Sequence, residues 1–387
     1  MDEVVDEGRI GQYALDILEK RAAQKLANGI SWTPPTAPKH LLAQLGEGIP
    51  PTDWVVPNLL PAGINQFNAQ RKTGKTTLAL NIMAALVDHK RLFRRFDVNP
   101  APDENVVYLN MELSRAMFLS WARDMGITED GQQRIHPFHA LDEGFGALDL
   151  SNERARDWLA EWLIGIRATT LIIDPLAKFY RAERWGGSGD PNVPYNAFWE
   201  VLEDVKRNAR LRMVLIMHHT GVSEDGADRG RGASAMGDNP TVNFAYRHSG
   251  DYNALRPPDN KRYLSGFGRD TDVEEFELGY VDATRTLYVT GGGNRKDAAV
   301  VGDARRLWET LMQMCATDKD ARPNKGELFE ALKWSMSGSG STKCNAAYNY
   351  AVTEQWVTVV PSGTSKLHEP GPKRPDGDDG DMKMPPK

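Results

Sequence analysis

Residues 64–80 read INQFNAQRKTGKTTLAL: a short strand-like run, a turn built on glycine, lysine and threonine, then an apolar helical pattern opening at Thr76. A strand that passes through such a turn into a helix is half of a βαβ unit, which requires a parallel sheet with helices over its faces. The chain as far as residue 292 keeps to that pattern. The runs INQFNA (64–69), NVVYLN (105–110), RIHPF (134–138), TLIID (170–174) and RMVLIMHH (212–219) read as strands. Helical patterns at residues 76–87, 114–125, 152–167 and 195–210 separate them. The expected fold class is α/β, a mostly parallel sheet covered on both faces. KRYLSGFG, EEFELGY and RTLYVTG then follow without helices and should pair antiparallel, the last two around a turn at DATR. One feature runs against the pattern. Asn65, Gln66 and Asn68 occupy the first strand where apolar residues are usual.

The segments on either side read differently. Residues 1–50 carry a helical pattern at 5–27 and a Pro-rich linker, an N-terminal arm that could pack on its own domain or on another subunit. The core is expected over 51–295. Residues 303–367 show three helical patterns and then two short strands around a glycine turn, the outline of a winged helix. Lys343, Tyr348 and Tyr350 are expected on the outer face of its third helix, toward DNA or a protein partner such as a replication protein. Residues 368–387 hold too little apolar surface to pack and should be disordered. A net charge of -6 argues against a histone-like coat for polyanions but leaves room for a local basic patch. The two cysteines, Cys315 and Cys344, form no metal or disulfide framework. No signal segment opens the sequence and no apolar run approaches the ~20 residues of a membrane helix, so a cytoplasmic protein with no membrane partner is expected.

The turn AQRKTGKT fits the looser form of a phosphate loop, with Ala69 where a first glycine is usual. The chemistry needs backbone N–H groups converging on phosphates, a glycine that permits the wrap, and a lysine reaching the outer phosphates. Ala69, Gln70, Arg71, Lys72, Thr73, Gly74, Lys75, Thr76 and Thr77 are therefore the candidate ATP-binding residues, and Ala69 fits if its φ is negative. In ENVVYLNMELS a strand ends near Glu112, placing a carboxylate where ligands bind at strand tips. It could orient or deprotonate a water, or merely favour the helix start beyond it. TLIIDP ends its strand in Asp174, which with Thr76 is the candidate set for Mg2+. RMVLIMHHTG brings His218 and His219 to the same edge; adjacent strand residues point to opposite faces, so one should reach the phosphate and the other pack.

The order of these motifs, closed by RGRGAS at 229–234, resembles the RecA/DnaB-type ATPase core and is most like the RepA-like replicative helicase group, over roughly residues 54–292. The resemblance implies a RecA-like sheet and a Mg2+-dependent ATP hydrolase working as a homo-hexameric or similar ring. That ring would move on nucleic acid, with single-stranded DNA foremost, in replication or recombination. It also implies Glu112 and Lys75 as catalytic, Asp174 on the metal side, and His219 as a phosphate sensor. An arginine is expected to complete a neighbouring subunit's site, and Arg269 in GFGRD is preferred over Arg247. This chain departs from the group at Ala69 and in MGDNPTVNFAYR, where the arginine usual soon after the Asp-Asn pair is displaced to Arg247. Two glycine-rich loops are candidates for DNA, one with Arg181 and Trp185, the other with Arg229 and Arg231. A second reading stays open: an ATP-gated DNA-binding scaffold, such as a helicase loader or recombinase filament. A small-molecule kinase is disfavoured, since nothing resembles a lid over the base.

Overall fold

The computed structural model describes residues 36–70, 72–144, 148–186, 189–219, 235–248, 261–317, 321–363 and 365–375. Two compact units divide the chain after Thr52. In the first, the helix Leu41–Gly46 is capped by the His40 side chain, which accepts from the Ala43 amide. The arm expected at residues 5–27 lies outside the described residues.

The second unit opens with a short antiparallel pair, β1 (Trp54–Val56) and β2 (Leu60–Pro61). Its main sheet comprises β3 (Gly63–Ala69), β4 (Val106–Asn110), β5 (Ile135–His139), β6 (Thr170–Asp174), β7 (Met213–His219), β8 (Val242–His248), β9 (Arg262–Gly268), β10 (Asp272–Val281) and β11 (Thr286–Val289). These nine strands lie in the order β11-β10-β9-β8-β3-β7-β6-β4-β5. Every pairing from β8 through β5 is parallel, and β8 to β11 are joined antiparallel. The fold is the expected α/β architecture, with a turn at 282–285 between β10 and β11. β8 is an additional strand to those expected, and its residues Val242, Phe244, Tyr246 and His248 are buried in strict alternation.

The two-residue strand period divides the core into two layers. Val106, Tyr108, Ile172, Leu215 and Phe244 face the helix Lys75–Val87 on one side. Val107, Leu109, Ile173 and Ile216 face the helices Glu153–Gly165 and Asn192–Asn208 on the other. All of β4 and β6 is buried, as a central parallel strand requires, and each such aliphatic side chain contributes about 1.5–3 kcal/mol by leaving water. The polar strand β3 is also buried, and a ladder of hydrogen bonds satisfies most of it. Asn65 Nδ2 donates to Pro61 O at 2.8 Å, Gln66 Nε2 donates to Asn68 Oδ1 at 2.9 Å and Met236 O at 3.0 Å, and Asn68 Nδ2 reaches Asn243 Oδ1 at 3.3 Å.

The C-terminal region has a third core of its own, including Leu307, Leu311, Phe329, Ala347 and Val357. The helices Arg295–Thr317, Lys325–Ala331 and Ser339–Thr353 are followed by the hairpin of β12 (Val357–Ser362) and β13 (Ser365–Pro370), in the expected order. Its limits need correcting. The first helix starts at Arg295, and ordered structure passes residue 367 because His368 is buried, bonded to Pro323 O at 2.9 Å and Tyr348 at 2.8 Å. Tyr348 packs on Phe329 and His368, and Tyr350 on Trp356, so these rings turn inward rather than outward; Lys343 is exposed. Among the described residues no helix is long and apolar enough to cross a membrane.

Candidate nucleotide site

Parallel pairing brings the C-terminal tips of β3, β7, β6 and β4 side by side, and the functional side chains gather at those tips. The Ala69 Cα is paired with His219 on one side and Tyr246 on the other, within extended backbone, so its methyl is buried without strain. The loop then turns by left-handed backbone at Lys72 (φ 63) and Gly74 (φ 97). Thr73 closes it by donating to Gln70 O at 2.9 Å. Among the described residues no side chain caps the helix that starts at Lys75, which leaves its first-turn N–H groups to an anion. Arg71 lies outside the described residues; Lys72 is exposed, Thr77 buried and Thr76 half-buried.

Lys75 is almost fully enclosed. Its ammonium donates to Gln70 O at 3.0 Å and to His219 Nδ1 at 2.8 Å. Because a lysine only donates, His219 accepts through Nδ1 and its proton sits on Nε2. His218, its Cα paired with Asn68, is buried.

Asp174 is wholly buried at the tip of β6, and desolvation raises its pKa above the ordinary carboxylate value. Hydrogen bonds from the Thr76 and Tyr108 hydroxyls and the Lys75 charge oppose that rise, while the Glu112 charge adds to it. Tyr108 donates to Asp174 Oδ2 at 2.6 Å, and its own pKa is driven well up by burial and by the carboxylate, so it stays a proton donor. Asp174 Oδ1 has no hydrogen-bond partner among the described residues. An orphaned carboxylate oxygen beside a hydroxyl that already meets the same carboxylate is a donor set suited to a hard divalent cation, so Thr76 and Asp174 fit Mg2+. Glu112 lies exposed two residues beyond Asn110, whose Cα is paired with Asp174, and its charge is felt at both Asp174 and Tyr108.

Two participants were not read from the sequence. Tyr108 looked like one more apolar strand residue. Arg262, at the start of β9, donates from Nε to Thr73 O at 2.8 Å and hydrogen-bonds the buried Tyr246 hydroxyl, bracing the loop from the antiparallel half of the sheet.

The remaining arginines separate. Arg247 is largely buried within β8 and lies 3.6 Å from Glu275, so it is not placed to serve a neighbour. Arg269 is exposed just past the end of β9. Since Val242 is paired with Gly268 and with Asn65, Arg269 sits at the opposite end of the sheet from its own phosphate loop. Arg181 is exposed. Trp185 is half-buried, edge-on to Phe198 at 5.6 Å, so the expected free stacking platform is committed to the chain's own core. Arg229 and Arg231 lie outside the described residues.

This loop, lysine, hydroxyl and pair of carboxylates at the tips of a parallel sheet form a candidate site for a nucleoside triphosphate. In agreement, residues 33–225, just under half of the chain, match the family model described as an AAA domain. A search of curated proteins found no match. Among solved structures, the chain is similar to the RadB recombinase (15% identity, TM-score 0.40, covering 59% of this chain and 91% of that one). It is also similar to the KaiC-like protein PH0186 from Pyrococcus horikoshii OT3 (14% identity, TM-score 0.42, covering 62% and 96%). Likenesses at that level carry no functional weight.

Proposed function

We propose that the chain is a Mg2+-dependent, nucleic-acid-stimulated ATP hydrolase that works as a ring-shaped DNA motor of the replicative-helicase type. The observation that carries this reading is the meeting of Lys75, Thr76 and Asp174 at one set of strand tips, within reach of the Glu112 charge. The phosphate loop and the uncapped helix start bind the triphosphate, and Lys75 shifts its donation from Gln70 O and His219 to the outer phosphate oxygens. Thr76 and Asp174 would hold Mg2+, which would supply positive charge to the phosphates. Glu112 accepts a proton from the water that attacks the γ-phosphorus; the bond to the bridging oxygen breaks, and ADP and phosphate leave. His219, through its contact with Lys75, reports the γ-phosphate to the loop that follows β7. Arg269, far from its own loop, serves the site of a neighbouring copy in the ring. Single-stranded DNA meets the loops after β6 and β7, with Arg181 from the first and Arg229 and Arg231 from the second.

An ATP-dependent strand-displacement assay run beside an ATPase assay tests the proposal. Unwinding that Glu112→Gln abolishes while nucleotide binding persists is the expected result. DNA binding modulated by ATP without displacement would replace the motor with a gated scaffold such as a loader or a recombinase filament.

A further inference from the structure

The turn that carries Glu112 is held by side chains from two neighbouring strands. β4 ends at Asn110, and the helix Arg115–Asp124 begins five residues later. Between them Met111 and Leu113 are buried and Glu112 alone is strongly exposed, so the shape of this short turn decides where the carboxylate stands. Asn110 governs that shape. Its Oδ1 accepts from the Leu113 amide at 2.9 Å and the Glu112 amide at 3.4 Å, and its Nδ2 donates to Leu113 O at 2.7 Å. The side chain thus brackets both backbone groups of Leu113.

The second hydrogen of that amide goes to His139 Nδ1 at 2.9 Å, on the edge strand β5. Backbone partners fix which end of the Asn110 amide is oxygen and which is nitrogen, so His139 must accept, and its proton lies on Nε2. Asn110 is paired in register with His139 on one side and Asp174 on the other, so the clamp spans three neighbouring strand tips. Met111 N donates to Asp174 O at 2.9 Å and ties the same turn to the metal-side strand. Phe118 packs on both Tyr108 and His139 and holds the imidazole in place.

We propose that Asn110 and His139 are positioning residues for hydrolysis, the imidazole orienting the amide and the amide fixing the turn that aims Glu112 at the attacking water. This rests on the role given to Glu112 above. Neither residue belongs to the phosphate loop or to the metal-side pair Thr76 and Asp174, so their loss should lower turnover and spare binding. A carboxylate displaced by about 1 Å costs up to ~100-fold in rate.

The test compares steady-state ATP hydrolysis, affinity for a fluorescent ATP analogue and thermal stability in His139→Leu, His139→Asn, Asn110→Ala and Glu112→Gln. His139→Leu and Asn110→Ala are expected to lower kcat about ten- to a hundredfold with nucleotide affinity kept within about twofold. His139→Asn, whose amide oxygen can stand where Nδ1 stands, should recover most of the loss. Placed on Glu112→Gln, His139→Leu should cost nothing further. The pH profile supplies a readout if His139→Leu does not fold. Burial lowers the His139 pKa against the raising charges of Asp142 and Glu143 and with the Arg115 charge. Protonation removes the acceptor, so an acid limb present in the wild type should be lost in His139→Asn. Wild-type kcat in His139→Leu, equal losses of affinity and kcat, an added loss on Glu112→Gln, or an acid limb unchanged in His139→Asn would each overturn the proposal. Full activity in Glu112→Gln would instead overturn the role of Glu112 itself.

Discussion

Replacing Tyr108 with phenylalanine removes one oxygen from a fully buried site and leaves the ring in place. The hydroxyl donates at 2.6 Å to Asp174 Oδ2, while Asp174 Oδ1 has no hydrogen-bond partner among the described residues. A hydrogen bond to a charged acceptor contributes about 1.5–3 kcal/mol. Losing it tilts the balance between ionised and protonated Asp174 toward the proton by about ten- to a hundredfold. The sign is fixed by the existing environment: burial already raises the Asp174 pKa, and the variant raises it further. Mg2+ requires the ionised carboxylate, so the acid limb of Mg2+-dependent nucleotide binding should move toward neutral pH in Tyr108→Phe. Titrating a fluorescent ATP analogue with and without Mg2+ across pH 5–8 reads this directly. Metal-free binding should be unchanged. An acid limb that superimposes on the wild type would refute Asp174 as the metal-side carboxylate or Tyr108 as its support.

Other outcomes follow from the same geometry. Asp174→Asn should abolish the Mg2+ dependence and raise the melting temperature of the nucleotide-free protein at pH 7. The raised pKa means that protonation stabilises the fold below the unfolded value and that this gain is lost as pH climbs through the folded value; a lower melting temperature would contradict it. Arg262→Ala should weaken ATP affinity by about tenfold or more, since a charge-assisted bond to the Thr73 carbonyl is lost; unchanged affinity would dismiss the brace. Ala69→Gly should leave affinity within about twofold and cost about 0.5–1 kcal/mol of stability, because the backbone there is ordinary strand; tighter nucleotide binding would mean that the methyl strains the loop.

Much of the candidate site is legible because its signals are local. The phosphate loop, Glu112 after an apolar strand and Asp174 at the end of another are each complete within about ten residues, and the parallel half of the sheet follows from strand–helix alternation. The misses are long-range. Arg262 meets Thr73 across 189 positions, and Tyr108 meets Asp174 across 66. No spacing rule announces either one. β8 carries its period-2 pattern openly in Val242, Phe244, Tyr246 and His248. The polar strand β3 looked anomalous because its partners, Met236 and Asn243, lie about 170 residues away. Trp185, Tyr348 and Tyr350 misled for a related reason: an aromatic in a loop or on a helix has the same sequence whether it faces solvent or a ring elsewhere in the fold.

Phosphate release from ATP by the purified chain, with Mg2+ and single-stranded DNA, beside Lys75→Ala under the same conditions, asks whether this loop and lysine hydrolyse a triphosphate. Release should require Mg2+, rise with DNA and disappear in the variant. ATP left intact by the wild type, or hydrolysis surviving in Lys75→Ala, would contradict hydrolysis by this loop and lysine.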